Sequence, residues 1–349
     1  IEIIGETRIG ADNLAWEKAI KSNVGIEGKL FNNKIDFVVD IFHDQRNGIF
    51  QQRVQVPEFV GVVSNPYANV GKMKSYGADG NISFTQDFTP DFVFTLRGNF
   101  TYSKNKVQNW EQAYLEYPYL EYNNFPYNSI RGYQAVGLFK DEDDIKYSPK
   151  QTFGEVMPGD IKYKDLNGDG VIDDYDKCLI GQGDVPKIYY GFGADLQLGD
   201  FSVGALFAGN AKADRCLGGN AMYPFNDGSG ITNLFANITD RWSADNPTNQ
   251  DVFYPRLHHG NNANQNNMKT STWWQKDVSF LRLKQLTIAY QLPKKLINQT
   301  FLKSARIYVM GTNLLTFSKF KLWDPELNTN NGTAYPNVRT YSVGVNVSF

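Results

Sequence analysis

The chain has 349 residues and a formal net charge of -2, with 14% aromatic and 21% charged residues. This near-neutral charge gives no basis for nucleic-acid binding, so nucleic acid is not expected among the partners. No apolar run reaches the roughly 18 residues of a membrane-spanning helix, which excludes a helical membrane protein but leaves membrane strands open. The 24 Phe and 20 Tyr residues favour β-structure.

Strict alternation of apolar and polar residues predicts long β-strands throughout the chain. It is clearest at the C-terminus, where five apolar residues share one face: Tyr341, Val343, Val345, Val347 and Phe349. Similar patterns occupy the segments KIDFVVDIF, SYGADGNISFTQ, DFVFTLRGNFTYS and KIYYGFGADLQLG. Several of these segments reach about ten residues, the span of a tilted membrane strand, whereas strands of soluble β-sandwiches are shorter. The pattern therefore favours an all-β transmembrane antiparallel barrel.

The connections between these segments alternate between short turns and long loops, as in outer-membrane barrels with short periplasmic turns. The long connections span about 48–74, 106–186, 212–276 and 318–336. We therefore predict about nine strands, the first near 16–31, with a periplasmic C-terminus. Residues 107–186 and 213–276 are predicted to form two long extracellular loops.

The stretch DLNGDGVIDDYD has the spacing of a calcium-binding loop. Its six predicted metal-binding residues occupy positions 1, 3, 5, 7, 9 and 12: Asp165, Asn167, Asp169, Val171, Asp173 and Asp176. Gly170 permits the sharp turn, and the last position is Asp where a calcium sensor has Glu. We expect a structural calcium ion here; the alternative is an Asp, Asn and Gly turn without metal.

Aromatic residues in the long loops are candidate contacts for a substrate or a partner, because flat rings with polar tips suit sugar faces and protein interfaces. We single out Trp110, Tyr117, Tyr119, Tyr122, Trp273 and Trp274. These rings could equally pack the loops themselves, and the two adjacent tryptophans could anchor the chain at the membrane interface.

Other chemistry-bearing residues are few. Cys178 and Cys216 can form a disulfide or remain isolated thiols. The segment ITNLFANITDRW shows helical spacing from Ile231 to Trp242, so we expect a short helix that packs a loop. No catalytic signature is present among the three His or elsewhere, and we expect no enzymatic activity.

Three stretches together resemble the C-terminal barrel part of the SusC/RagA family of TonB-dependent outer-membrane transporters. They are PGDIKYKDLNGDGVID, DVSFLRLKQLTIAYQLP and GTNLLTFSKFKLWDPE, the last followed by YPNVRTYSVGVNVSF. The segment LAWEKAIKSNVGIEGKLFNNKIDFVVDIF is similar to an earlier hairpin of that family, so the resemblance covers nearly all of residues 1–349. The resemblance implies a 22-stranded barrel in outer-membrane lipid, of which this chain supplies about the last nine strands.

The resemblance also implies partners. A SusD-like surface lipoprotein would cap the barrel outside, and the TonB complex would energise import of oligosaccharides or peptides. This chain carries no plug domain and opens without Met or a signal peptide, so we expect Ile1 to be an internal point of a longer chain. Two alternatives remain at this point: a secreted β-sandwich glycan-binding module or adhesin with a dockerin-like calcium loop, and a passive porin.

Overall fold

Nine long strands form one antiparallel sheet, in which each strand pairs with its neighbours in the sequence. The computed structural model describes residues 10–11, 13–56, 64–219, 221–225, 234–259, 264–298 and 301–349. The strands are β1 (Lys18–Leu30), β2 (Ile35–Gln52), β3 (Tyr67–Thr89), β4 (Phe92–Asn109), β5 (Ile188–Leu198), β6 (Phe201–Ala211), β7 (Phe280–Gln291), β8 (Ser304–Ser318) and β9 (Thr340–Ser348). The prediction of about nine long antiparallel strands is confirmed.

The alternation in the sequence becomes rows of like residues across the sheet. One row over β4 to β9 is entirely apolar: Phe94, Leu196, Val203, Ile288, Val309 and Val343. The adjacent row contains small and polar residues together with one Met: Thr95, Asp195, Gly204, Thr287, Met310 and Ser342. Side chains of the apolar row are exposed: Val343 is 76% exposed and Val309 is 50% exposed.

Apolar side chains on an exposed face are what a membrane barrel presents to lipid, whereas a β-sandwich buries its apolar faces between two sheets. Across the described ranges, the remaining sheets have two strands each and arise from short loop strands, so none is a second layer for the large sheet. The β-sandwich alternative is therefore wrong.

The connections follow the predicted alternation of short and long. The short ones are 31–34, 90–91, 199–200 and 292–303, and the long ones are 53–66, 110–187, 212–279 and 319–339. The first turn holds Asn32 and Asn33 at φ of 57° and 65°, a left-handed conformation that Asn tolerates better than most residues. The first long connection is shorter than the predicted 48–74, because main-chain pairing continues to Gln52 and Tyr67 through polar sequence.

The second, third and fourth long connections fold together outside the sheet. Their short strands are Ile130–Gly132, Ala135–Leu138, Lys150–Gln151, Ile161–Tyr163, Val171–Ile172, Cys178–Gly181, Asp214–Cys216 and Gln275–Asp277. Their helical pieces are the α-helix Glu142–Lys146 and the 3₁₀ turns Pro118–Leu120, Asp174–Asp176 and Ala236–Thr239; the other α-helix, Lys294–Ile297, lies in a short turn. Among all residues that the structure describes, no helix is long and apolar enough to cross a membrane.

A shared apolar cluster, here called the loop core, joins these three connections. Its buried members are Tyr133, Leu138, Ile161, Tyr163, Ile172, Ala213, Leu217, Met222, Tyr254, Trp274, Val278 and Phe320. Because the cluster draws on residues up to about 190 positions apart in the chain, the loops form one packed unit, here called the loop domain.

The helix predicted for ITNLFANITDRW is wrong over its described part. Its first predicted residue, Ile231, lies outside the described residues. The remainder contains only the four-residue 3₁₀ turn, and Trp242 lies beyond it with its N–H donated to the carbonyl of Tyr254. Tertiary pairing with a neighbouring loop segment replaces the helical hydrogen bonds there.

Candidate functional site

The predicted calcium loop is a compact turn organised by its own carboxylates. Asp165 accepts hydrogen bonds from the backbone N–H groups of Gly168 at 2.6 Å and Gly170 at 2.8 Å. Both glycines have a positive φ, 79° and 83°, which explains why the loop needs glycine at these two positions. The side chains of Asn167 and Asp169 hydrogen-bond each other at 2.9 Å.

Asp176, the last position of the loop, joins its beginning to its end. It is fully buried and accepts N–H groups from Leu166 at 2.7 Å and Asp173 at 2.9 Å. Asp173 in turn caps the 3₁₀ turn by accepting the N–H of Tyr175 at 2.8 Å. Two backbone donors hold this carboxylate in place, and it closes the loop.

The donor chemistry of this loop fits calcium, because its side chains offer carboxylate and amide oxygens. The arrangement of these oxygens fits a metal site less well than their chemistry does. Each of the Asp side chains named above already accepts backbone N–H groups, and nowhere in the described ranges do three or more acidic, His or Cys side chains meet in an arrangement that could hold a metal. Calcium binding by Asp165, Asn167, Asp169, Val171, Asp173 and Asp176 therefore stays a prediction.

The loop is attached to the loop domain by its own backbone. Val171 and Ile172 pair in parallel with Lys150 and Gln151, and the Ile172 side chain is fully buried in the loop core. Tyr175 meets Tyr117 edge-to-face, with ring centroids 6.0 Å apart. This contact connects the calcium-type loop to the aromatic segment predicted to bind a substrate or partner.

That aromatic segment forms an open cleft of about 510 Å³, which we call the aromatic cleft. Trp110 and Tyr127 lie on one side with ring centroids 5.3 Å apart. Arg131 lies over the rings of Tyr122 at 4.5 Å and Phe125 at 5.2 Å. Of the predicted contacts, Trp110 and Tyr122 line this cleft, and Tyr122 is 54% exposed.

Tyr117 and Tyr119 belong to the same segment but do not line the cleft. Their rings stack with centroids 5.5 Å apart, and burial, assisted by the charge of Asp176, raises the pKa of Tyr119 to about 12. Arg131 donates to the backbone carbonyls of Tyr119 and Leu120 at 3.1 Å each and also to that of Glu121. The guanidinium thus holds the segment in shape by donating hydrogen bonds to three backbone carbonyls. Sequence reasoning missed Arg131, because an isolated Arg in a loop carries no spacing signal.

The prediction for the adjacent tryptophans needs correction. Trp274 is only 2% exposed, packs in the loop core and donates its indole N–H to the carbonyl of Asn267 at 2.6 Å. Trp273 is half-buried and donates to the carbonyl of Phe253 at 3.0 Å. Trp274 is therefore wrong as an exposed contact residue and as a membrane anchor, and Trp273 packs against the same core.

A buried polar network, also unpredicted, joins the two largest loops. Asp160, fully buried, accepts two hydrogen bonds of 2.9 Å from Arg256 and further ones from Asn264 at 3.0 Å and Asn267 at 2.9 Å. Such a fully partnered buried ion pair is a structural connection.

Cys178 and Cys216 are both free thiols in the structure, and burial raises the pKa of each.

The polar face of the sheet carries paired charges. Arg97 and Asp195, on β4 and β5, form an ion pair at 2.9 Å beside a groove of about 380 Å³ that extends to Arg306 on β8. Arg306 donates to the hydroxyl of Ser202 at 3.0 Å. Polar and charged groups on the face opposite the apolar rows suit a water-filled lumen.

Comparison with known proteins agrees with this architecture. A protein-family model described as "TonB dependent receptor-like, beta-barrel" matches residues 3–314. Among curated proteins, the chain is 27% identical to TonB-dependent receptor P3 of Formosa agariphila, over 98% of this chain and 35% of that protein. It is 23% identical to TonB-dependent receptor SusC of Bacteroides thetaiotaomicron, over 97% of this chain and 32% of that protein.

Among solved structures, the RagAB peptide importer in its open-open state matches with a TM-score of 0.74 and 26% identity, covering 96% of this chain and 35% of that one. The closed-closed state matches with a TM-score of 0.71. The chain thus spans about a third of the length of the relatives it matches. The family is one of outer-membrane receptors rather than enzymes. With its alternating strands and long packed loops, the chain belongs to the TonB dependent receptor-like β-barrel family.

Proposed function

We propose that this chain supplies barrel wall and extracellular loops to a TonB-dependent importer of oligosaccharides or peptides in the outer membrane. The observation that carries the proposal is the pairing of a lipid-type apolar face with a polar face in a sheet that matches the RagAB peptide importer over 96% of the chain. Energy from the TonB complex is part of the proposal and is supported by the names of the curated relatives.

The alternation of connections supports an orientation. With the short turns in the periplasm, the C-terminus after β9 is periplasmic and the loop domain is extracellular. Residues 107–186 and 213–276 would then make up most of the surface that first meets substrate. The aromatic cleft opens on this surface, and its exposed Tyr122 and half-buried Trp110 suit a sugar ring or a protein side chain.

We further propose that a SusD-like lipoprotein closes over the loop domain. The support is twofold: the resemblance of the chain to the SusC type, and an extracellular unit with its own core that offers a rigid docking platform. In the same proposal calcium rigidifies the turn from Asp165 to Asp176, since the millimolar calcium outside cells would fill even a weak site.

Uptake by cells that produce the intact receptor tests the central proposal. We expect saturable accumulation of a labelled oligosaccharide or peptide that stops when a protonophore dissipates the inner-membrane gradient. A passive porin would continue to equilibrate its solute under that treatment. Uptake that is unaffected by the protonophore would therefore contradict active import and favour the porin.

A further inference from the structure

A second cavity, of about 480 Å³, opens on the polar face of the sheet where β5, β6 and β7 enter the loop domain. We call it the Arg215 cavity. Its polar lining includes Tyr189, Asn210, Arg215, Lys284 and Glu326. Its apolar lining comes from small and aliphatic side chains, among them Val185, Pro186 and Val278. None of these residues was singled out by sequence motifs.

Arg215 is a buried cation that forms no ion pair with a described residue. It is 5% exposed, and its Nη1 donates to the amide oxygen of Asn328 at 2.6 Å, while its Nε has no hydrogen-bond partner. Among the described residues no carboxylate lies within 4 Å of its guanidinium nitrogens. Burial lowers the pKa of Arg215, because its charge is kept away from water, and the charge of Asp184 on the cavity wall opposes this shift only in part.

Two other arginines with little exposure differ: Arg256 in the third long connection and Arg282 on β7. Arg256 forms its two-bond ion pair with Asp160, and Arg282, 1% exposed at its side chain, pairs with Asp324 and with Glu326. Their charges are compensated within the chain. A buried charge without a partner is strongly unfavourable, so the exception at Arg215 indicates a partner that is supplied from elsewhere.

Asn210 adds an unsatisfied acceptor to the same cavity. It is 9% exposed, and its side-chain oxygen is buried with no hydrogen-bond partner. It pairs across the sheet with Tyr189 on β5 and with Phe280 on β7, which places it on the polar face. A buried acceptor left unpaired is unfavourable, and a donor from a ligand would recover the lost hydrogen bond.

We propose that Arg215 and Asn210 form a subsite for a carboxylate group on an imported oligomer. The planar guanidinium matches a carboxylate, and the Asn210 oxygen would accept a neighbouring O–H or N–H from the same ligand. Asp184 and Glu326 on the cavity wall oppose multiply charged anions. Tyr189, 49% exposed, and the aliphatic wall would cover the apolar part of the ligand.

This inference rests on the proposed import function for its biological meaning, but its chemistry can be tested by binding alone. The carboxylate could come from an acidic sugar or from a peptide terminus. We would titrate the intact receptor, purified in detergent, with a uronate disaccharide and its neutral methyl ester. A second pair would be a tetrapeptide with a free C-terminus and its C-terminal amide.

We expect the carboxylate form of one pair to bind at least about tenfold more tightly than its neutral counterpart. Arg215→Gln should abolish that preference, and Asn210→Ala should weaken it. Arg306→Gln, a matched change on the same face outside the cavity, should leave it unchanged. The pair that shows the preference identifies the source of the carboxylate. Absence of a preference in both pairs, or an equal loss in the Arg306 variant, would overturn the proposal.

Stability separates this role from a structural one. If Arg215 awaits a ligand, Arg215→Gln removes an uncompensated buried charge, and the melting temperature without ligand should stay the same or rise. A clear fall in melting temperature together with a retained carboxylate preference would show that Arg215 supports the fold only. Failure of energised uptake with intact carboxylate binding would count against the import function but not against this subsite.

Discussion

The sheet and the loop domain place polar and apolar residues in opposite ways. The sheet turns Val309 and Val343 outward and keeps the Arg97–Asp195 pair on its other face, whereas the loop domain buries Trp274 and Ile172 in a common core. The loop domain therefore behaves like a small soluble protein built on a membrane sheet. Each region should respond to substitution by its own rule, because lipid surrounds one and water the other.

The largest effect is expected in the loop domain from Asp160→Ala. This change leaves Arg256 buried without its carboxylate, so it should destabilise the loop domain by about 3–5 kcal/mol. Limited proteolysis should cut between residues 107 and 276 while the barrel keeps the heat-modifiable mobility of a folded barrel on an unheated gel. Asp36→Ala, which removes the exposed Lys29–Asp36 pair, is the control and should change stability by less than about 1 kcal/mol. Joint loss of sheet and loops would show that the two regions are not separable.

A charge on the apolar face tests the membrane side of the comparison. Val309→Arg should destabilise the barrel by about 2–4 kcal/mol if that position faces the lipid midplane. Met310→Arg, on the next residue and the opposite face, should be tolerated. The yield of folded protein in isolated outer membranes measures both. Equal tolerance of the two variants would show that neither face meets lipid.

Calcium removal should act on the loop domain alone. At a calcium concentration about tenfold above the dissociation constant, binding adds about 1.4 kcal/mol to the stability of the folded loop. A chelator should therefore speed proteolysis near Asp165 and leave the barrel band unchanged, and added calcium should reverse this. Asp169→Ala should make the loop insensitive to chelator. A wild-type protein that shows no heat of calcium binding in calorimetry would rule the site out.

The smallest effect concerns acid pH and Asp144. Burial would raise the pKa of this carboxyl, but hydrogen bonds from Lys162 and from the N–H of Lys140 outweigh it and lower the pKa. A lowered pKa means that the ion pair stabilises the loop domain above the pKa of the unfolded chain. That contribution, at most about 1 kcal/mol, is lost as pH falls below about 4. Asp144→Asn should lower loop stability at pH 7 and flatten its decline in acid. An identical acid profile in both proteins would contradict this role.

The sequence predicts the sheet well and the sites only in part, for a physical reason. A strand in lipid must alternate, so Tyr341 to Ser348 reports its two faces locally. Loop residues are determined by partners that can lie far along the chain: Trp274 packs in the loop core, and Arg256 pairs with Asp160, 96 positions away. Whether a carboxylate pairs with Arg215 depends on which residues lie near it in the folded chain, and no local sequence pattern predicts that.

The contact between Tyr117 and Tyr175 has a consequence for affinity. It connects the turn that begins at Asp165 to the aromatic segment that forms the cleft. Whatever fixes that turn also reduces the entropy that the cleft loses when it closes on a ligand. Bound extracellular calcium would then increase the affinity of the aromatic cleft for its ligand without contacting that ligand.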